Sequence, residues 1–318
     1  MVLTLMVTTI SGMACSSWLM VWMLLEANTL AMCFLVSHES KTSMKSEKAT
    51  MTYFMVQILA SILILLASST EQNMLSSTLI MGGILAKMGV WPAHLWYMKM
   101  INLLQMKQNS LLILMTWQKI LPAFLAMSMS KNMESETPLM MVALVSLVTP
   151  LTMLKSNLTT KSIMALSSLN NNAWLVMAIS LSTKSFTAFL ALYSSTLMML
   201  LKTMNWLTKK SESTGKSFWY SMVMFGNLGG LPPLTMFWMK VMILKTLMES
   251  NTSTEICGIL MLSACIMLYH YLWTVTNEST ASPVKSQNQA ILNKKESKTY
   301  ITMILPMSFV SAYLTMIM

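Results

Sequence analysis

The sequence predicts an all-α, polytopic membrane protein. Three observations carry that expectation. Apolar residues fill 55% of the 318 positions and charged residues only 10%, with a mean hydropathy of +0.59. The apolar residues also fall into runs of about 20, the length at which an intrahelically bonded backbone crosses a bilayer core. Finally, 14 of the 21 lysines lie in every second gap between those runs. Two soluble domains, the usual reading of such a length, do not fit this composition.

Eleven segments follow in order. The run from 2 to 37 is too long for one crossing and is divided at Cys15-Ser16-Ser17 into 2–16 and 17–37. Polar connections then delimit 51–69, 75–98, 109–128, 138–154, 162–181, 184–204, 218–248, 255–276 and 299–317. The fourth segment is interrupted by Gly82-Gly83, Gly89 and Pro92, and the ninth by Gly226, Gly229-Gly230 and Pro232-Pro233. Such breakers free backbone groups that a bilayer cannot solvate, and matched breaks in two halves point to a transport site. The two breaks stand five crossings apart, an odd offset that inverts the second copy. A single antiporter-like domain is therefore expected over 1–318, as an inverted repeat of five-helix units (about 1–128 and 138–276) with broken fourth and ninth helices and an added helix at 299–317.

Every basic residue other than histidine is lysine and every acidic one is glutamate. The net charge of +10 reads as topology and not as nucleic-acid binding. Even gaps hold Lys41, Lys45 and Lys48; Lys99 and Lys107; Lys155 and Lys161; Lys209, Lys210 and Lys216; and Lys285, Lys294, Lys295 and Lys298, whereas odd gaps hold only Lys131 and Lys184. The positive-inside rule puts the even gaps and the N-terminus in the compartment of synthesis and the C-terminus outside. The first segment lacks a basic leader and is expected to be retained. Cys15, Cys33, Cys257 and Cys265 have no metal-ligand or CxxC spacing and read as small core residues. No phosphate loop, paired-carboxylate site, metal cluster or nucleophile constellation is present in the sequence.

Four charges lie deep inside segments: Glu26, Lys87, Lys119 and Lys240. A charge at the bilayer centre costs about 2.5–3.5 kcal/mol on insertion scales, so it persists where it is paired or hydrated. Lysine, unlike arginine, can lose its proton when buried, so a chain of lysines can pass protons, and Glu26 can modulate Lys87. The bland alternative is helix packing or snorkelling, which suits Lys202 and Lys245 near segment ends. His38, His94 and His270 could extend a relay. Trp91, Trp96, Tyr97, Trp206, Trp219 and Tyr220 read as interfacial anchors, and the Gly226-to-Gly230 spacing as close helix packing.

Several stretches resemble one family: chain 2 of respiratory NADH:ubiquinone oxidoreductase (complex I), in its mitochondrially encoded animal form. They are Trp22-Met-Leu-Leu-Glu26, Lys87-Met-Gly-Val-Trp-Pro92-Ala-His94-Leu-Trp96, Leu114-Met-Thr-Trp-Gln-Lys119-Ile-Leu-Pro122, Lys161-Ser-Ile-Met-Ala-Leu-Ser167-Ser168 to Trp174, and Asn227-Leu-Gly-Gly-Leu-Pro-Pro233-Leu-Thr through Lys240. The resemblance implies an antiporter-like, proton-translocating subunit of eleven helices in the mitochondrial inner membrane, N-terminus in the matrix and C-terminus in the intermembrane space. It implies a relay of Glu26, Lys87, Lys119 and Lys240; the residues themselves add His270, sited within a span, and Ser167, Ser168 and Asn171, able to hold a water wire, as accessory candidates. No cofactor is expected in this chain; FMN, iron-sulfur clusters and ubiquinone belong elsewhere in the complex. The implied partners are neighbouring antiporter-like and other membrane-arm subunits and a phospholipid such as cardiolipin, with no nucleic acid.

Where relatives carry a histidine after the Ser-Ser pair, this chain has Asn170-Asn171-Asn172, which can orient water but cannot titrate; the preceding basic element is Lys161-Ser162. A stand-alone cation/proton antiporter would share the lysines and the breaks. A structural membrane subunit, whose buried ion pairs only hold helices, would be expected to give Lys119 an acidic partner. The lysine bias makes one expectation testable: reagents confined to the matrix side should label the connections 38–50 and 277–298, and labelling from the opposite face contradicts the topology.

Overall fold

The computed structural model describes residues 1–39, 44–69, 74–105, 109–130, 137–154, 159–210, 215–232, 234–250 and 254–281, with side chains other than those of 205–220 and 278–281. The segment expected at 299–317 and most of the 277–298 connection lie outside the described residues, as do Pro233, Lys41, Lys107, Lys131 and Lys155. Among the described residues every regular element is helical: α1 (Val2–Ala14), α2 (Trp18–Glu39), α3 (Met44–Ser69), α4 (Met74–Met88), α5 (His94–Leu103), α6 (Asn109–Met115), α7 (Ile120–Ser130), α8 (Thr137–Thr152), α9 (Thr160–Leu181), α10 (Thr183–Lys210), α11 (Gly215–Gly229), α12 (Thr235–Glu249) and α13 (Thr254–Ala281). A 3-10 turn, Trp117–Lys119, joins α6 to α7.

Ten predicted segments account for these thirteen helices because three of them are each in two pieces. The fourth and ninth break as expected. The break in the fifth was not expected, since 109–128 reads as one apolar run. Its signal is Pro122, which lacks an N–H to bond Gln118 and is tolerated only in the first turn of a helix; α7 starts at Ile120 accordingly. The division at Cys15 is real: α1 ends at Ala14, with Cys15 in extended conformation. Five described spans are long and apolar enough to cross a membrane: Trp18–Glu39, Met44–Ser69, Ser110–Ser130, Thr183–Met204 and Thr254–Asn277.

The chain divides into two compact units, Met1–Met153 with Met164–Thr183, and Leu154–Ile163 with Lys184–Met318. In the first, α3 packs on α2, α4 and α5, while α7 packs on α1 and α4. In the second, α11, α12 and α13 pack on one another. The outer helices are apolar on both faces, as a lipid boundary demands. Helix α2 buries Val21, Leu25, Asn28, Met32 and Leu35 at helical spacing yet exposes Leu19, Met23, Leu30 and Phe34. Cys265 is likewise exposed on α13, so of the four cysteines expected in the core only Cys257 is fully buried. Helix α9 differs from all of these: residues 163–180 are buried without interruption, although they include Ser167, Ser168 and Asn170 to Asn172.

Both glycine-rich breaks end a helix in the same way. At the end of α4, Gly89 takes φ +73°; its N–H donates to Ala86 C=O and the Val90 N–H to Leu85 C=O, each at 3.1 Å. At the end of α11, Gly230 takes φ +87°; its N–H donates to Asn227 C=O at 3.1 Å and the Leu231 N–H to Gly226 C=O at 3.0 Å. This is the Schellman arrangement, with glycine in the left-handed position. Gly226 and Gly230 thus serve a helix terminus, not the helix-packing motif that their spacing suggested.

The two kinds of glycine on α4 give opposite expectations. A Cβ on Gly89 would sit 3.0 Å from Tyr97 Cβ on a backbone with positive φ, so Gly89→Ala should destabilise by about 1–2 kcal/mol or more. A Cβ on Gly82 meets nothing within 4 Å, so Gly82→Ala should be neutral or gain about 0.5–1 kcal/mol. Thermal denaturation of the purified assembly carrying each variant checks the ordering.

Candidate functional site

A helix that stops inside a bilayer leaves its last carbonyls without intrahelical donors, and each one needs a partner. At the end of α4 the four are Leu85, Ala86, Lys87 and Met88. The first two accept from the Schellman N–H groups. Ala86 C=O also accepts from the Trp96 indole N–H at 3.1 Å, Lys87 C=O from Gln57 Nε2 at 3.3 Å, and Met88 C=O from Asn172 Nδ2 at 3.1 Å. Three helices, α3, α5 and α9, therefore hold one broken end.

Lys87 lies on the last turn of α4 and is 4% exposed. Its Nζ stands 4.0 Å from Glu26 Oε1 on α2, in coulombic contact without a direct hydrogen bond. At that distance and an effective dielectric constant of about 20 the attraction is about 4 kcal/mol, against roughly 3 kcal/mol for each charge placed in the membrane and so about 6 kcal/mol for the two. The attraction offsets most of that cost. Thr29 Oγ1 lies 3.4 Å from Glu26 Oε2, and the carboxylate keeps 21% side-chain exposure.

Lys119 is the last residue of the 3-10 turn and is 5% exposed. It stands at a break, whereas the sequence places it inside one continuous segment, 109–128. Its Nζ donates to Asn172 Oδ1 at 2.8 Å and lies 4.5 Å from the centroid of the Tyr97 ring, a cation–π contact. Both groups are neutral. The turn is held by the Trp117 indole N–H donating to Thr9 Oγ1 at 3.1 Å, by Gln118 Nε2 donating to Tyr53 Oη, and by Thr116 Oγ1 donating to Leu112 C=O at 2.7 Å. Tyr53 and Tyr97 each pack edge-on against Trp96. Trp96 and Tyr97 are buried, not interfacial as expected, because the chain after the α4 break turns them inward; Trp91 alone of the three is exposed. The side chains of Trp206, Trp219 and Tyr220 lie outside the described residues.

In the second unit, Lys240 on α12 is 5% exposed, and its Nζ donates directly to Gly229 C=O, the cap carbonyl of α11, at 2.9 Å. The next helix starts under Asn227. Its Oδ1 accepts from Thr235 Oγ1 at 2.9 Å and from the Met236 N–H at 3.4 Å, supplying the cap that Leu234 at the N-cap cannot. The positive pole of that helix start and the negative pole of the α11 end thus both find partners within the break.

The accessory candidates separate. Ser167 and Ser168 donate back to the carbonyls of Met164 and Ala165 at 2.7 and 2.8 Å. Asn171 is buried with an Oδ1 that makes no hydrogen bond to protein, and it is Asn172 that meets Lys119. His270 is half-buried on α13 with its ring edge-on to Tyr269. His94 is buried and His38 exposed. Lys202 is exposed, and Lys245 makes an exposed pair with Glu249 at 3.9 Å. Among the described residues no group of three His, Cys or Glu side chains could hold a metal ion.

The sequence reading missed Gln57, Asn172 and Asn227. Gln57 was visible as an amide within an apolar run, and Asn227 as the polar residue inside the glycine-rich break. Choosing Asn172 from its run requires the helical phase of α9. Glu39 was missed as well. Its Oε2 accepts from the Ser110 N–H at 2.9 Å, so α2, which carries Glu26, also caps the short helix leading to Lys119.

Among relatives, the chain is 32% identical over 301 residues to NADH-ubiquinone oxidoreductase chain 2 of Latimeria chalumnae, covering 88% of this chain and 85% of that protein. It is 31% identical to the chain of the same name from Polypterus ornatipinnis, covering 96% and 92%, and 26% identical to that from Locusta migratoria, covering 85% and 81%. No family model matches. Its fold is similar to a chain of respiratory complex I from Thermus thermophilus with TM-score 0.75 and 15% identity, covering 98% of this chain and 77% of that one. It is also similar to a chain of the Mrp complex from a Dietzia species with TM-score 0.74 and 11% identity, covering 86% and 59%. The fold is therefore that of the antiporter-like membrane subunits.

The caps at the α4 break carry an expectation of their own. Gln57→Leu keeps the volume but leaves the Lys87 carbonyl without its donor, which should destabilise by about 1–3 kcal/mol. Heating the purified assembly and following retention of this chain tests it; an unchanged profile contradicts the capping role.

Proposed function

The chain belongs to the NADH-ubiquinone oxidoreductase chain 2 family, and from that premise we propose that it translocates protons as an antiporter-like subunit of the membrane arm of complex I, from matrix to intermembrane space, coupled to quinone reduction. The supporting observation is that Lys87 and Lys119 stand at helix breaks, that Lys240 reaches one from within α12, and that all three are almost wholly buried. A break supplies what a titrating lysine requires: carbonyl dipoles to hold the ammonium and irregular backbone able to line a hydrated path.

Glu26 and Lys87 form the pair whose balance neighbouring charges can tip. When the pair opens, the positive field of Lys87 acts on Lys119, which takes up a proton while its field is neutralised and gives it up when repelled. Lys240 passes a proton toward one face or the next subunit, and its hold on the Gly229 carbonyl is released as its proton leaves. This chain moves protons only. Electron carriage by FMN, iron-sulfur clusters and ubiquinone belongs to other subunits, and an oxidoreductase subunit of this kind needs no redox centre of its own.

The setting that suits this role is the mitochondrial inner membrane, with the N-terminus in the matrix, the C-terminus in the intermembrane space, membrane-arm subunits alongside and a phospholipid such as cardiolipin at the apolar faces. The inverted repeat of about 1–128 and 138–276, with an added helix at 299–317, is the matching architecture. His270, Ser167, Ser168 and Asn171 stand as accessory relay groups.

Lys119→Met should leave the complex assembled and cut both proton pumping and coupled turnover, and Lys119→Arg should also fail because guanidinium keeps its proton. A structural lysine gives the reverse: assembly is lost first and arginine is tolerated. Normal assembly with full pumping stoichiometry in Lys119→Met would falsify the relay role.

A further inference from the structure

Asn172 joins the two functional lysines of the first unit through backbone. Its Oδ1 accepts from Lys119 Nζ at 2.8 Å and its Nδ2 donates to Met88 C=O at 3.1 Å. The orientation of the amide follows from its partners, since an ammonium can only donate and a carbonyl can only accept. Met88 is bonded in sequence to Lys87, whose ammonium faces Glu26 at 4.0 Å. A continuous path of one covalent step and two hydrogen bonds thus runs from the ion pair to the central lysine. The second unit has the shorter version of the same contact, with Lys240 donating straight to the cap carbonyl Gly229. In each unit a lysine answers to the last carbonyl of a broken helix. In the first, the amide is the intermediary.

We propose that Asn172 is a positioning residue that transmits the state of the Glu26–Lys87 pair, through the Met88 carbonyl at the α4 break, to Lys119. With the pair closed, Met88 C=O holds the Nδ2 end and the amide offers its oxygen to the Lys119 ammonium. When the pair opens and the last turn of α4 shifts, the Nδ2 end is released. The amide then turns, and presents N–H to Lys119. Only the neutral amine has a lone pair to accept that N–H, so rotation of the amide accompanies departure of the proton from Nζ to water. Gly89 tightens the link: a Cβ there would lie 3.0 Å from Tyr97 Cβ, and the Tyr97 ring covers Lys119 Nζ, so a shift of the break also moves the ring. Asn172 is fully buried on α9, a helix able to act as the fixed side of the device.

The inference rests on the proton-translocating reading, and a double-mutant cycle in the assembled complex separates the two. Proton pumping per NADH oxidised is measured in sealed inner-membrane vesicles for Glu26→Gln, Asn172→Leu, the double variant and Lys119→Met. Transmission through Asn172 predicts that Glu26→Gln lowers pumping roughly fivefold to tenfold in the native background and less than about twofold once Asn172 is Leu. A residue that merely packs gives effects that multiply, and that result overturns the proposal. Asn172→Ser, which keeps a hydroxyl but not a two-ended amide, repeats the cycle if the Leu variant does not assemble; loss of assembly in both assigns Asn172 to packing and overturns it equally. Lys119→Met at full pumping refutes the parent reading instead, whereas loss of pumping in Lys119→Met together with a multiplicative cycle removes Asn172 alone.

Discussion

The constraint on which the described structure turns is that backbone polar groups freed by a helix break cannot be left to lipid. An intact helix satisfies itself, and a broken one must recruit. Around α4 that recruitment draws in Gln57, Trp96 and Asn172 from three other helices, and around α11 it draws in Lys240 and Asn227. The lysines proposed for the relay are part of this satisfaction. Lys240 is a donor to a helix end before it is anything else, and Lys119 shares its amide partner with a helix end.

This arrangement helps an ammonium group persist in a membrane. The C-terminal end of a helix carries partial negative charge, so Lys240, drawn to the Gly229 carbonyl, is stabilised by a dipole. A dipole holds a proton less tenaciously than a carboxylate, and a group that must release its proton needs a hold of that kind. Glu26 and Lys87 are two full charges at 4.0 Å that can answer to other charges, which suits a trigger better than a carrier.

Much of this was legible in the sequence. Hydropathy and alternating lysines gave the helical membrane class, and glycine and proline marked two of three breaks, because breakers act through backbone geometry that no context removes. The third break was hidden because Thr116 to Lys119 contains neither residue, and its one marker, Pro122, sits where a helix tolerates proline. Trp96 and Tyr97 were misplaced for a related reason: aromatics near a segment end read as interfacial only if the segment is continuous. Asn172 could not be distinguished from Asn170 and Asn171, since neighbours on a helix differ by about 100° in facing, and the facing is settled by tertiary packing.

The claim at the centre of this account is that the breaks are hydrated, moving sites at which lysines exchange protons. A water-resolving map of the intact complex, at rest and during turnover, tests it most directly. The account predicts ordered water reaching Lys119 Nζ and a Lys119–Asn172 separation that differs between the two states. A dry break, with the 2.8 Å contact unchanged in both states, contradicts it.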